Sequence, residues 1–178
     1  NFIFTHKYIA KIIDDIRKGL DNKDHVKNFN INKKYILKIL HITNFNQRFN
    51  GRLHYNTGAR LNNGFIRLGH NVLTLSDRDI ISKGKNVRDF NGKKALQKSI
   101  IEAFGNFKAD CVVLGHADSV SNDTLDYLKN VNKHLKISQW FLDPVGKNGP
   151  DHFKNTKRIT EKKQFVDSTF LTSDPKAL

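Results

Sequence analysis

The sequence predicts an α/β domain over residues 35–178, built on a doubly wound, largely parallel, Rossmann-like sheet whose ligand-binding edge lies at the carboxyl ends of its strands. Three observations predict it. Short apolar runs of strand length, led by Ile36, Leu37, Ile39, Leu40 and Ile42, have few polar interruptions, as in strands buried on both faces. Apolar stripes of helical period separate these runs, giving the order β-α-β-α-β-α-β-α-β. Residues suited to helix ends punctuate the stripes: Gly69 after one, Ser121 and Pro150 before two others.

Each element follows from local pattern. Ile9, Ile12, Ile13, Ile16 and Leu20 mark an extra amino-terminal amphipathic helix over 8–20, and 21–34 is polar enough to be a linker. Residues 35–43 form the first central strand. After the loop 44–54, a helix over 56–68 lines up Gly58, Leu61, Phe65 and Leu68 and closes at Gly69. A strand over 72–75 follows so closely that its crossover should be right-handed and parallel. Leu96, Ile100, Ala103 and Phe107 mark the next helix, 109–114 the next strand, and 115–118 a turn. Ser121 caps a helix carrying Leu125, Leu128 and Val131, and the strand 137–142 ends at Asp143 and Pro144. A helix over 151–164 with Phe153 and Ile159 leads to a last strand over 169–172.

A chain of 178 residues is about one domain and can bury a sizeable core. The single cysteine, Cys111, lies within an apolar run, which fits a reducing, cytoplasmic setting. No apolar stretch approaches the ~20 residues that span a bilayer, and the residues at the start show no signal-peptide h-region. The chain starts at Asn1 and holds no methionine, so it is expected to be a fragment with a further domain. A net charge of +14 would suit a nucleic acid, an anionic membrane face touched peripherally, or a phosphorylated substrate. Composition gives a plainer account. The sequence is rich in Lys, Asn and Ile, which AT-rich coding supplies, and its lysines are scattered, so any nucleic-acid binding should be weak and non-specific.

The loop after the first strand, running through Asn50, Gly51 and Arg52, should approach the amino terminus of the following helix, where anions bind in such folds. It lacks the G-x-G-x-x-G array of a dinucleotide site, although Asp77 sits where a ribose-binding acid could follow the second strand. A P-loop is absent too. Gly51 is either an ordinary turn glycine or a point of close approach to a ligand phosphate. His116 and Asp118 follow the Cys111 strand and Asp143 follows the Trp140 strand, so all three should face one crevice. A histidine there can move a proton or bind a sugar hydroxyl, and an aspartate can orient it or accept from substrate. The plainer readings are an exposed loop histidine and, for Asp143 before Pro144, a turn residue. Lys38 and His41 are expected at sheet edges or satisfied internally. The remaining histidines lack metal-ligand spacing, so neither a metal nor a cofactor is expected.

The run 37–43, the loop containing Asn50 and Gly51, the helix end 68–72 and the stretch 109–117 together resemble the amino-terminal domain of GT-B glycosyltransferases, in particular bacterial group 1 and spore-coat-type enzymes. The resemblance covers about residues 35–178. It implies transfer of a sugar from a nucleotide-sugar donor to an acceptor hydroxyl, with retained configuration and no essential active-site metal. It also implies a separate carboxyl-terminal, donor-binding domain. Gly51 would lie on the loop nearest the donor diphosphate, with Asn50 and Arg52 beside it. His116 would stand where many members carry an active-site histidine, with Asp118 and Asp143 on neighbouring cleft loops. The acceptor could be a glycan, lipid or protein. The first loop keeps one glycine where the family has several. The alternatives are a non-catalytic basic module binding a nucleotide or nucleic acid, then a nucleotide-dependent oxidoreductase or epimerase.

Overall fold

A computed structural model describes residues 35–172. The helix and linker expected over 1–34 lie outside the described residues. Five strands, β1 (Lys38–Thr43), β2 (Asn71–Ser76), β3 (Cys111–Gly115), β4 (Lys136–Phe141) and β5 (Ser168–Leu171), form one sheet in the order β2-β1-β3-β4-β5. All four pairings are parallel, so the domain is the expected Rossmann-like α/β sheet. The helices are α1 (Thr57–Arg67), α2 (Asp77–Gly84), α3 (Lys93–Phe107), α4 (Asn122–Val131) and α5 (His152–Thr160).

Alternation along the strands divides the core in two. Ile39, Cys111, Val113, Trp140 and Phe170 face α1 through Leu61 and Phe65. Leu40, Ile42, Val112, Leu114 and Ile137 face Ile80 and Ile81 of α2, Leu96 and Ile100 of α3, and Leu125 and Leu128 of α4. Phe141 extends that second face to Ile159 of α5. Each fully buried Leu, Ile or Phe contributes roughly 1.5–3 kcal/mol, which is why the sequence keeps these strands almost wholly apolar. Right-handed crossovers account for the division. The chain leaves β1 toward β2 over one face, then returns across β1 to β3, β4 and β5 over the other.

Several expectations are corrected. The short helix α2 lies where no element was expected. Val131 and Phe153, expected on buried helix faces, are 58% and 87% exposed, and α5 instead buries Asn155 and Ile159. β1 is central, so His41 is not at an edge. It is fully buried, with Nδ1 3.3 Å from Asn62 Oδ1, and among the described residues its Nε2 has no hydrogen-bond partner. No helix among the described residues is long and apolar enough to cross a membrane.

Connections leave β1 and β3 in opposite directions, so the switch point lies between their carboxyl ends, where this architecture opens a crevice. Thr43, Ser76, Gly115 and Trp140 stand level there by register. The floor is closely packed. Thr43 Oγ1 donates to the Gly115 carbonyl at 2.8 Å, and a Cβ on Gly115 would run into the Trp140 indole. A Cβ on Gly58, in the first turn of α1, would lie 2.6 Å from Thr43 Cγ2.

Candidate functional site at the carboxyl edge

The loop from β1 to α1 is built as a rigid ridge. Asn46, Asn50 and Gly51 adopt left-handed backbone at φ 58°, 49° and 87°, and successive turn bonds run from Phe49 N–H to Asn46 and from His54 N–H to Gly51. Asn56 caps α1 by accepting from Ala59 N–H at 2.9 Å, while its amide donates to the carbonyls of Phe45 and Leu53. Asp79, in the first turn of α2, fastens the ridge from the other side. Its carboxylate accepts from the N–H groups of Gln47 and Arg48, from Ser76 Oγ and from the Arg48 guanidinium at 2.9 Å. Burial pushes that carboxyl up, but these donors outweigh burial and hold it below the usual carboxylate range. Arg48 and Arg52 place their guanidinium groups 4.6 and 5.4 Å from the Phe49 ring.

Gly51 needs its glycine for backbone conformation, since a Cβ there would meet nothing within 4 Å. Asn50, Gly51 and Arg52 are exposed on this ridge, and no hydrogen bond or ion pair joins them to His116. Asp77 is buried at the carboxyl end of β2. Burial first, and then the nearby carboxylates of Asp118 and Asp79, push its carboxyl up to about 6 against the lowering effect of Arg78.

The second group stands beyond β3 and β4. His116 also has left-handed backbone, φ 49°, which turns its ring back over β4. The ring stacks on Phe141 at 4.3 Å and meets Trp140 edge-on at 5.6 Å. Its Nε2 accepts from the Leu142 backbone N–H at 3.2 Å. A backbone N–H can only donate, so in the neutral ring the proton sits on Nδ1. That nitrogen faces Asp143 Oδ2 at 3.8 Å. Burial lowers the His116 pKa; Asp143 and Asp118 pull it up, Arg158 and Arg78 push it down, and the net result is a ring more readily neutral than usual.

Arg158 of α5 joins the two carboxylates, with Nε 3.2 Å from Asp118 and Nη1 4.0 Å from Asp143. Lys162 lines the same recess as His116 and Asp118 and donates to the Val120 carbonyl at 2.6 Å. Thus His116, Asp118 and Asp143 are brought together as expected, whereas Asn50, Gly51 and Arg52 form a separate ridge. Arg158 escaped sequence reasoning because it is distant in sequence, and the weak apolar pattern of α5 gave no indication of which way it points. No protein-family model matches the chain, and neither a curated protein nor a solved structure matches it significantly.

Proposed function

We propose that this domain is the acceptor side of a glycosyltransferase of the GT-B type, which moves a sugar from a nucleotide-sugar donor to an acceptor hydroxyl. The observation that carries the reading is the pairing of His116 Nδ1 with Asp143 Oδ2 at 3.8 Å, beyond direct hydrogen-bonding distance. One group donates and the other accepts, so a hydroxyl that accepts from Nδ1–H and donates to the carboxylate satisfies both. The side chains are 19% and 48% exposed, so solvent and ligand can reach them. The resemblance carried by residues 37–43 and 109–117 supports the same reading.

Under this reading the acceptor oxygen bonds to the anomeric carbon as the bond from that carbon to the donor phosphate breaks. The electron pair leaves with the nucleoside diphosphate, and the configuration is retained. His116 orients the hydroxyl and is not the base, because Nε2 is already occupied by the Leu142 N–H. Asp143 is the group placed to draw on the hydroxyl proton. Arg158 bridges Asp118 and Asp143 and orients both carboxylates. The donor diphosphate is expected on a second Rossmann-like domain facing this edge.

The test uses full-length protein with a panel of nucleotide-sugars and acceptors. Asp143→Asn should lower kcat/KM for the acceptor by about 10²-fold while nucleotide-sugar binding stays unchanged. Equal loss of donor binding would move Asp143 to the donor side. Absence of any sugar transfer by the wild type across the panel, with saturable nucleotide binding instead, would favour a non-catalytic nucleotide-binding module.

A further inference from the structure

The chain's two basic residue types are distributed unevenly. Lysine outnumbers arginine 23 to 8, yet no lysine occurs between Lys38 and Lys83, and five of the eight arginines fall in that interval: Arg48, Arg52, Arg60, Arg67 and Arg78. The described chain carries no Asp or Glu before Asp77. A charge requirement alone would be met by the lysine this composition favours. Arginine differs in its planar fork, which grips phosphate or carboxylate with two parallel hydrogen bonds and stacks on aromatic rings.

The fold puts four of the five at one edge. Arg48 and Arg52 lie on the ridge after β1, Arg60 in the first turn of α1 and Arg78 in the first turn of α2, all beyond strand carboxyl ends. Only Arg67, in the last turn of α1, lies at the opposite edge. The two aspartates of the interval do not neutralise the ridge, since Asp79 is held by Arg48 and three other donors and Asp77 is buried. Among the described residues neither Arg52 nor Arg60 has a carboxylate within ion-pair distance, and Arg52 is oriented by the Phe49 ring. The ridge and the start of α1 are fastened by Asn56 and Asp79, and Arg52 and Arg60 are exposed on that support.

We infer that the arginine ridge binds a phosphate group carried by the acceptor itself. The inference rests on the acceptor-side reading of this edge. It specifies an acceptor whose phosphate is set apart from its reactive hydroxyl, because β1 and β4, the strands that lead to the two groups, lie two spacings, roughly 10 Å, apart. The ridge recognises the phosphate, and His116 with Asp143 receives the hydroxyl.

The experiment is calorimetric titration of full-length protein with glycerol phosphate at fixed ionic strength, repeated with Arg52→Lys, Arg60→Lys and Arg67→Lys, and with sedimentation on phosphatidylcholine vesicles containing phosphatidic acid. Saturable binding is expected, weakened about tenfold by Arg52→Lys or Arg60→Lys and untouched by Arg67→Lys. Binding to the vesicles alone would keep the phosphate and make its source a lipid headgroup; binding to glycerol phosphate alone would make it a soluble or glycan phosphate. Four results would overturn the inference: no saturable binding to either probe, lysine variants that bind like wild type, equal weakening by Arg67→Lys, or displacement by a nucleoside diphosphate, which would give the ridge to the donor. Because no turnover is measured, failure here leaves the glycosyltransferase reading standing, and failure of sugar transfer leaves the phosphate site standing.

Discussion

His116 does more than a loop histidine would, and its truncation should have two separate effects. Its ring accepts from Leu142 N–H and stacks on Phe141, so His116→Ala strands a part-buried donor and should destabilise the domain by about 1–3 kcal/mol in thermal or denaturant unfolding. A loss within about 0.5 kcal/mol would reduce the residue to an ordinary surface position. The glycines separate in the same manner. Gly105 lies in α3 with nothing near its would-be Cβ, so Gly105→Ala should stabilise by about 0.5–1 kcal/mol. Gly58→Ala and Gly115→Ala press on Thr43 and Trp140 and should cost about 1–3 kcal/mol, measured in the same unfolding experiment. Sequence spacing placed Gly58 on the buried face but could not distinguish these cases, because the neighbour that would clash lies on another strand. Nor could it show that Gly51 is held by its φ, so that a valine there strains the backbone whether or not a ligand approaches.

At the scale of elements, strands and amphipathic helices were legible because burial on a parallel sheet imposes strong periodicity. The strands β1 and β3 are continuous apolar runs, and α1 carries Leu61 and Phe65 four apart. The eight-residue α2 escaped because it presents only Ile80 and Ile81 to the core and is fixed instead by contacts to α3 and by Asp79. For α5, Phe153 outweighed Asn155 in the sequence pattern, yet Asn155 is the buried residue because its amide donates to the Pro144 carbonyl at 2.9 Å. Two buried titratable groups on these elements give opposite pH dependences. Asp77 loses its proton near 3.8 unfolded and near 6 folded, so the folded state holds the extra proton between those values and stability falls as pH rises through them. Asp77→Asn should therefore be more stable than wild type above pH 6, by on the order of 3 kcal/mol, and equal to it below 3.8. His41 takes its proton near 6.5 unfolded and near 4 folded, mainly because burial disfavours the charge, so its contribution is full above 6.5 and lost as pH falls toward 4. His41→Leu should remove that acid slope; an unchanged slope would show that the imidazole is not the group responsible.

For the whole molecule, a net charge of +14 reads as uniform basicity until the fold divides it. The sheet order sends the arginine-bearing ridge and the histidine–aspartate pair to the same edge but to different strands, which no linear spacing predicts. Fold class and edge were thus readable from pattern and topology rules, and His116, Asp118 and Asp143 were readable as strand-end residues. The partition of that edge into an arginine-bearing ridge and a histidine–aspartate pair required coordinates. The decisive measurement for His116 as an acceptor-positioning residue is acceptor kcat/KM for glycosyl transfer by full-length wild-type and His116→Asn protein. Asparagine tolerates the left-handed backbone at this position and so preserves the turn while removing the imidazole. A loss of about 10²-fold with donor affinity intact is expected. Near-normal turnover in a correctly folded His116→Asn protein would contradict it.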